Sequence, residues 1–335
     1  MSEIAISVRN LKTFFYTNQR CNKAVNGVSF DIHKGKTLCI VGESGCGKSV
    51  TAAAIMQLLP RLSRIEDGLI TYHSDQGDIH IERLPRNGPQ MRAIRGAEIA
   101  MIFQDPMTAL NPVFTVGFQI MENMLYHTKL RGRQLKDKAI DLLRSMGIPA
   151  PERRADPFPH QFSGGMRQRA MIAMAMACNP KVLIADEPTT ALDVTIQAQI
   201  FELMTTLKRE HGTAIMLITH DMGVVAELAD DVAVMYMGNI VEAGTVEDIM
   251  RRPTHPYTRA LLNSIPVLGR GKNQRVLPIP GSTPDPLNRP VGCQFADRCT
   301  YRIEACNVMP AETQMTPTHR VMCWRHEELA NAPRQ

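Results

Sequence analysis

Eight consecutive residues constrain this chain more than any other stretch: Gly42-Glu43-Ser44-Gly45-Cys46-Gly47-Lys48-Ser49. Their spacing is G-x-x-x-x-G-K-S. The glycines let successive backbone N–H groups converge on one point, and a helix beginning straight afterwards aims its N-terminus at the same place. Such a loop needs a strand before it and a helix after it. Residues 37–41 are a short apolar run that reads as a buried strand, and residues 49–59 have helical spacing and composition. In that setting all eight residues form a phosphate cradle, with Lys48 reaching the β- and γ-phosphates and Ser49 offering its hydroxyl to Mg²⁺.

The same alternation continues along the chain. Residues 4–8 and 28–32 alternate apolar and polar side chains, with turn chemistry at Asn26-Gly27 and Lys34-Gly35. Residues 181–185 and 214–219 are further buried-strand runs, followed by helical stretches at 196–210 and 223–229. Strands alternating with helices predict an α/β core with a largely parallel sheet. Residues 114–176 read as mostly helical, broken by the proline-rich stretch 148–159, and form an inserted subdomain. Beyond residue 252 come Pro253, Pro256, Pro266, Pro278, Pro280, Pro284, Pro286 and Pro290, which exclude a long helix. A boundary near residue 252 therefore separates the core from an irregular C-terminal module.

Composition narrows the classes. With 44% hydrophobic and 21% charged residues, the chain is an ordinary globular protein. Its net charge of +5 is spread without a basic stripe, beyond pairs such as Arg153-Arg154 and Arg251-Arg252, so no nucleic-acid partner is expected. Residues 1–11 mix charge and polarity without an apolar core, so no secretory signal is read there. The longest strongly apolar run, residues 170–178, is far short of the roughly 20 residues of a membrane span. The expectation is a soluble, cytoplasmic chain that meets a membrane only through a partner. The methionines between Met166 and Met176 read as a flexible thioether core.

A second chemical signal is Val182-Leu183-Ile184-Ala185-Asp186-Glu187, an apolar strand ending in two carboxylates. Asp186 is expected near the Mg²⁺ shell, with Glu187 orienting or deprotonating the attacking water. These two motifs together specify a P-loop NTPase. A third segment, Phe162-Ser163-Gly164-Gly165-Met166-Arg167-Gln168-Arg169, opens a helix with a second anion-friendly N-terminus. One nucleotide has no use for two such sites from one subunit. Two subunits sandwiching the nucleotide do.

At this point the sequence resembles the ABC transporter ATPases, from the N-terminus to about residue 250. Ser163-Gly164-Gly165-Met166 is similar to the family signature, usually S-G-G-Q, and departs from it at Met166. Gln104, within Phe103-Gln104-Asp105-Pro106, matches the Q-loop glutamine, which senses Mg²⁺ or the water. Ala191-Leu192-Asp193 matches the D-loop, which places Asp193 at a subunit interface. His220, in Ile218-Thr219-His220-Asp221, matches the switch histidine at the γ-phosphate. Phe15 falls where the family stacks an aromatic on adenine, with Tyr16 as the rival. The resemblance implies a RecA-like P-loop core over residues 1–252, an N-terminal antiparallel β subdomain and a helical subdomain at about 106–178.

The tail narrows the group further. His255-Pro256-Tyr257-Thr258-Arg259-Ala260-Leu261-Leu262 and Pro280-Gly281 resemble the C-terminal extension of dipeptide and oligopeptide importer ATPases, here residues 253–335. The implied partners are a second, non-identical ABC ATPase, two transmembrane permease subunits and an external substrate-binding protein, at the cytoplasmic face of the membrane. Nickel chelates, opines and antimicrobial peptides are alternative cargoes, and a non-transport role in DNA repair or translation is a remote one. Cys293, Cys299, Cys306 and Cys323 have the spacing C-x5-C-x6-C-x16-C, without the C-x2-C knuckles of common zinc sites. Soft thiolates suit zinc or an iron–sulfur cluster. The wide spacing fits a [4Fe–4S] cluster somewhat better and the resemblance implies the same; zinc, or free or disulfide-linked thiols, are the alternatives. A cluster would tie down an extension that has few apolar residues of its own.

Overall fold

A computed structural model describes residues 3–17, 20–189, 192–264 and 279–332. Thr190 and Ala191 of the D-loop region, and Pro266 and Pro278 of the tail, lie outside the described residues. The described strands are β1 Ile4–Thr17, β2 Arg20–His33, β3 Thr37–Val41, β4 Ser63–Ser74, β5 Gly77–His80, β6 Ile99–Ile102, β7 Val182–Asp186, β8 Ala214–Thr219, β9 Asp231–Tyr236, β10 Asn239–Thr245, β11 Thr313–Gln314 and β12 Arg320–Val321. The chain divides into two compact units.

One unit comprises Ile6–Asp31, Thr37–Glu82 and Ile218–Gln335. It contains an antiparallel sheet in the order β2-β1-β4-β5, in which Ile6 faces Tyr72 and Val8 faces Ile70. Those side chains are fully buried, as an alternating strand with one face on a core requires. β1 and β2 run 14 residues each, far beyond the 4–8 and 28–32 read from alternation. Asn26-Gly27 is not a turn. The Asn26 N–H donates to the Gly238 carbonyl at 2.7 Å, and Gly27 continues β2 at φ 91°.

In the same unit β3 lies parallel to β9, with Leu38 opposite Asp231 and Val41 opposite Val234. All five residues of β3 are buried, which accounts for an apolar run without alternation. β9 and β10 form an antiparallel hairpin through Met237 at φ 47° and Gly238 at φ 77°, the two positive φ angles a two-residue turn of matching twist needs. β12 then pairs with β10, and β11 with β12, so the C-terminal extension adds to the edge of this sheet. The extension otherwise holds the eight-residue helix Pro256–Asn263, the single-turn segments Ala296–Arg298 and Glu304–Asn307, and the helix His326–Asn331. Pro256 is tolerated because it occupies the first helical turn, where no N–H donor is needed.

The other unit comprises Met1–Ala5, Ile32–Lys36 and Arg83–Leu217. β6 and β7 are parallel, Ile99 facing Val182 and Ile102 facing Ala185, with β8 on the far side of β7. Lys34 and Gly35 do form a turn, as read. The helices Val116–His127, Arg133–Ser145 and Gly164–Met176 pack against one another. Arg133–Ser145 buries Leu135, Ala139, Leu142 and Leu143 along one stripe and leaves its charges in solvent. Gly164–Met176 buries Ala170, Met171, Ile172, Ala173 and Met176 almost all round, so the methionine-rich segment is core. The proline-rich stretch holds the one-turn helix Pro151–Arg154 and runs into a single turn at Pro159–Gln161.

Candidate functional site

In the first unit described, the phosphate loop leaves β3 and ends in the helix Lys48–Ile55. Gly45 and Gly47 adopt φ 78° and 108°, angles that other residues rarely reach. A side chain at Gly47 would overlap the Ala24 carbonyl oxygen, and one at Gly42 the Met235 carbonyl oxygen. The loop is thus pressed between the backbones of β2 and β9. Ser44 and Gly45 are exposed at its tip, and Ser49 is exposed in the first helical turn. Lys48 is only 5% exposed, and its ammonium donates to the carbonyls of Gly42 at 2.7 Å and Glu43 at 3.0 Å. The buried Cys46 thiol lies 3.8 Å from that ammonium, and burial pushes its pKa up.

Glu43 is held by the C-terminal extension. Its N–H donates to the Tyr257 hydroxyl at 2.8 Å. Its carboxylate accepts from Arg298 Nη1 at 2.6 Å, Arg298 Nη2 at 2.9 Å and the Thr283 hydroxyl at 3.1 Å. Burial raises the Glu43 carboxyl, but the Arg298 guanidinium, the Thr283 hydroxyl and the Lys48 ammonium together hold it below the ordinary value. Tyr257 and Arg298 were not recognised from sequence as loop contacts. Tyr257 stands within the quoted His255-Pro256-Tyr257 motif, the one signal pointing to it.

His220 follows β8 and is exposed, just ahead of the helix Met222–Leu228 that Asp221 caps through Gly223 N–H at 2.8 Å. Phe15 is half-buried on β1. Its rival Tyr16 is occupied: the Arg64 guanidinium sits 4.7 Å from its ring centroid, and its hydroxyl is bonded to Glu66.

In the other unit, β7 ends at Asp186, which is 5% exposed, and Glu187 follows at φ 45°. A non-glycine residue in that region is a strained position of the kind that clusters at reactive sites. Gln104 Nε2 donates to Glu187 Oε2 at 2.9 Å, so two residues 83 positions apart are brought together. Ser163 caps the helix Gly164–Met176, its hydroxyl accepting from Met166 N–H at 3.3 Å. Asp193 caps Val194–His211, accepting from Ile196 N–H at 3.0 Å. Ser163, Gly164, Gly165 and Asp193 line one open pocket with Arg169. A Cβ on Gly165 would meet Ile196 at 3.1 Å, so glycine is what lets these two helix starts approach. Arg169, which sequence reasoning left without a role, donates to the Met146 carbonyl at 3.0 Å and frames that pocket.

The four tail cysteines converge. Cys293, Cys299, Cys306 and Cys323 line one small pocket with Phe295 and Tyr301. Burial raises the Cys293 thiol, takes Cys299 to about 11 and Cys323 to about 12, with neighbouring cysteines adding to it. Among the described residues, no group of three or more His, Cys, Asp or Glu is arranged to hold a metal ion. Also among the described residues, no helix is long and apolar enough to cross a membrane.

Comparison with known proteins bears on both parts of the chain. Residues 25–190 match the model for "ABC transporter", and residues 241–306 match that for "Oligopeptide/dipeptide transporter, C-terminal region". The chain is 50% identical to the dipeptide transport ATP-binding protein DppD of Bacillus subtilis, over 98% of this chain and 96% of that one. It is 49% identical to the oligopeptide transport ATP-binding protein OppD of the same organism, over 95% and 88%. A dimeric ATP-binding cassette solved in a post-hydrolysis state with ADP and Pi is 26% identical, with a TM-score of 0.64 over 72% of this chain and 98% of that chain.

Proposed function

The chain belongs to the peptide ABC transporter ATP-binding proteins, and on that premise we propose that it is the ATP-hydrolysing subunit that powers uptake of di- or oligopeptides through partner membrane subunits. The observation that carries the reading is the Gln104–Glu187 hydrogen bond at the end of β7, in a chain that keeps every catalytic position of the family's nucleotide motifs and departs from the signature only at Met166.

In this reading the loop from Gly42 to Ser49 surrounds the phosphates, and Lys48 exchanges its loop carbonyls for their oxygens. Ser49, Asp186 and Gln104 would hold Mg²⁺, which supplies charge neutralisation when bound. Glu187 accepts the proton of the attacking water, and His220 contacts the γ-phosphate. Phe15 stacks on adenine. Ser163, Gly164, Gly165 and Asp193 serve the nucleotide of a partner ATPase, so that ATP favours closure of the pair and hydrolysis releases it. Two transmembrane subunits and an external binding protein complete the importer, with this chain on the cytoplasmic face of the membrane. Residues 1–252 form the nucleotide-binding part and 253–335 the extension.

Cys293, Cys299, Cys306 and Cys323 are assigned to a [4Fe–4S] cluster that ties down the extension, and their convergence on one pocket supports this. Iron and sulfide analysis of anaerobically purified protein tests it; zinc in their place overturns it. Cargo is tested by uptake of labelled dipeptides and longer peptides into vesicles carrying the assembled complex. ATP-dependent dipeptide uptake is expected; uptake of a nickel chelate or an opine in place of peptides contradicts the assignment.

A further inference from the structure

The C-terminal extension meets the phosphate loop at Glu43, through Tyr257, Thr283 and Arg298. Arg298 ends the turn Ala296–Arg298, which lies between Cys293 and Cys299. Its side chain is 5% exposed and grips Glu43 with both terminal nitrogens. Its Nε donates to the Pro280 carbonyl at 2.8 Å, and its guanidinium lies 5.9 Å from the Tyr236 ring centroid and 5.7 Å from that of Phe295. A planar guanidinium fixed on three sides has little freedom left to lose, which favours a bidentate pair. The turn itself is set by Ala296 N–H donating to the Cys293 carbonyl at 3.0 Å and Cys299 N–H donating to the Ala296 carbonyl at 3.3 Å. The cysteine segment therefore fixes where Arg298 stands.

Glu43 poses a problem for a phosphate loop. A carboxylate in the loop opposes the negative charge the loop must receive, and partial burial strengthens the repulsion. Arg298 cancels that charge, and Tyr257 fixes the same residue's N–H at 2.8 Å. We infer that Arg298 is a positioning residue for the phosphate loop, and that through it the cysteine-bearing tail sets the affinity of the loop for nucleotide. The inference rests on the loop binding ATP, as proposed above.

The test is titration of the full chain with a fluorescent ATP analogue, alongside thermal melting without nucleotide. Arg298→Gln leaves the Glu43 carboxylate without its guanidinium partner and weakens binding about tenfold. Adding Glu43→Gln removes that charge and returns affinity to within about threefold of wild type, a non-additive pair. Binding by Arg298→Gln within twofold of wild type, or a double variant as weak as Arg298→Gln, overturns the inference. Should Arg298→Gln fail to fold, Arg298→Lys keeps the cation but loses the bidentate grip. It is then expected to bind about threefold more weakly, with Glu43→Gln reversing the loss; unchanged binding by Arg298→Lys overturns the inference equally. A wild-type chain that binds no nucleotide fails the underlying function instead, which keeps the two outcomes apart.

Discussion

Gln104 Nε2 lies 2.9 Å from Glu187 Oε2, so the glutamine that follows β6 steadies the carboxylate that follows β7. Glu187 stands at φ 45°, and a strained residue keeps one orientation only while its neighbours enforce it. Gln104→Ala is expected to lower kcat about tenfold through loss of this restraint, a fraction of what removing a general base costs. Binding of ATP measured without Mg²⁺ should stay within twofold. Steady-state turnover set against nucleotide titration checks both.

Gly45 and Gly47 both have positive φ but differ in surroundings. A Cβ on Gly45 meets nothing within 4 Å, whereas one on Gly47 collides with the Ala24 carbonyl and with Met235 Cε at 2.8 Å. Gly45→Ala should cost about 1 kcal/mol, the strain of the backbone alone. Gly47→Ala should cost about 3 kcal/mol or more and abolish ATP binding. Urea unfolding of the two variants separates them.

The contrast between these glycines was not legible in sequence, although the motif was. Phosphate chemistry demands fixed residue types at fixed spacing, so Lys48, Ser49, Asp186, Glu187 and Ser163 stand out wherever they fold. β3 was legible because a buried parallel strand leaves an uninterrupted apolar run. The β9–β10 hairpin was not, because its turn is Met237-Gly238 and lacks the Asn-Gly or Asp-Gly that announces such a turn. Asn26-Gly27 carries that very dipeptide and lies inside β2, where pairing with Gly238 overrides local preference. Arg298 could not have been found at all: its partner is 255 residues away, and no local pattern records the meeting.

Glu242 is the tail's main buried anchor. Its carboxylate is 1% exposed and accepts from Thr254 N–H at 2.6 Å, His255 N–H at 3.0 Å and His319 Nε2 at 2.8 Å. Glu242→Ala strands three buried donors and should destabilise the protein by about 3 kcal/mol or more. Faster proteolysis within residues 253–335 than within residues 106–178 is the accompanying expectation.

Asp248 carries an acid-sensitive contact. Burial raises its carboxyl, but hydrogen bonds from Thr245 and Thr318 outweigh burial and hold it below the ordinary aspartate value. A carboxyl with a lowered folded pKa contributes stability that is complete above about pH 4 and is lost as pH falls through the folded value. Asp248→Asn should remove that part of the acid dependence and cost about 1 kcal/mol at neutral pH through the weakened helix start. Thermal melts of both proteins between pH 3 and 7 check the sign.

On the proposed function, this chain hydrolyses ATP with Glu187 as the base, as one half of a paired motor. The direct measurement is phosphate release by the assembled complex, wild type against Glu187→Gln, with nucleotide binding followed in parallel. Wild type should turn over steadily, while Glu187→Gln binds ATP and releases phosphate at least about a hundredfold more slowly. A Glu187→Gln complex that turns over at the wild-type rate, or a wild-type complex that binds no adenine nucleotide, contradicts the account.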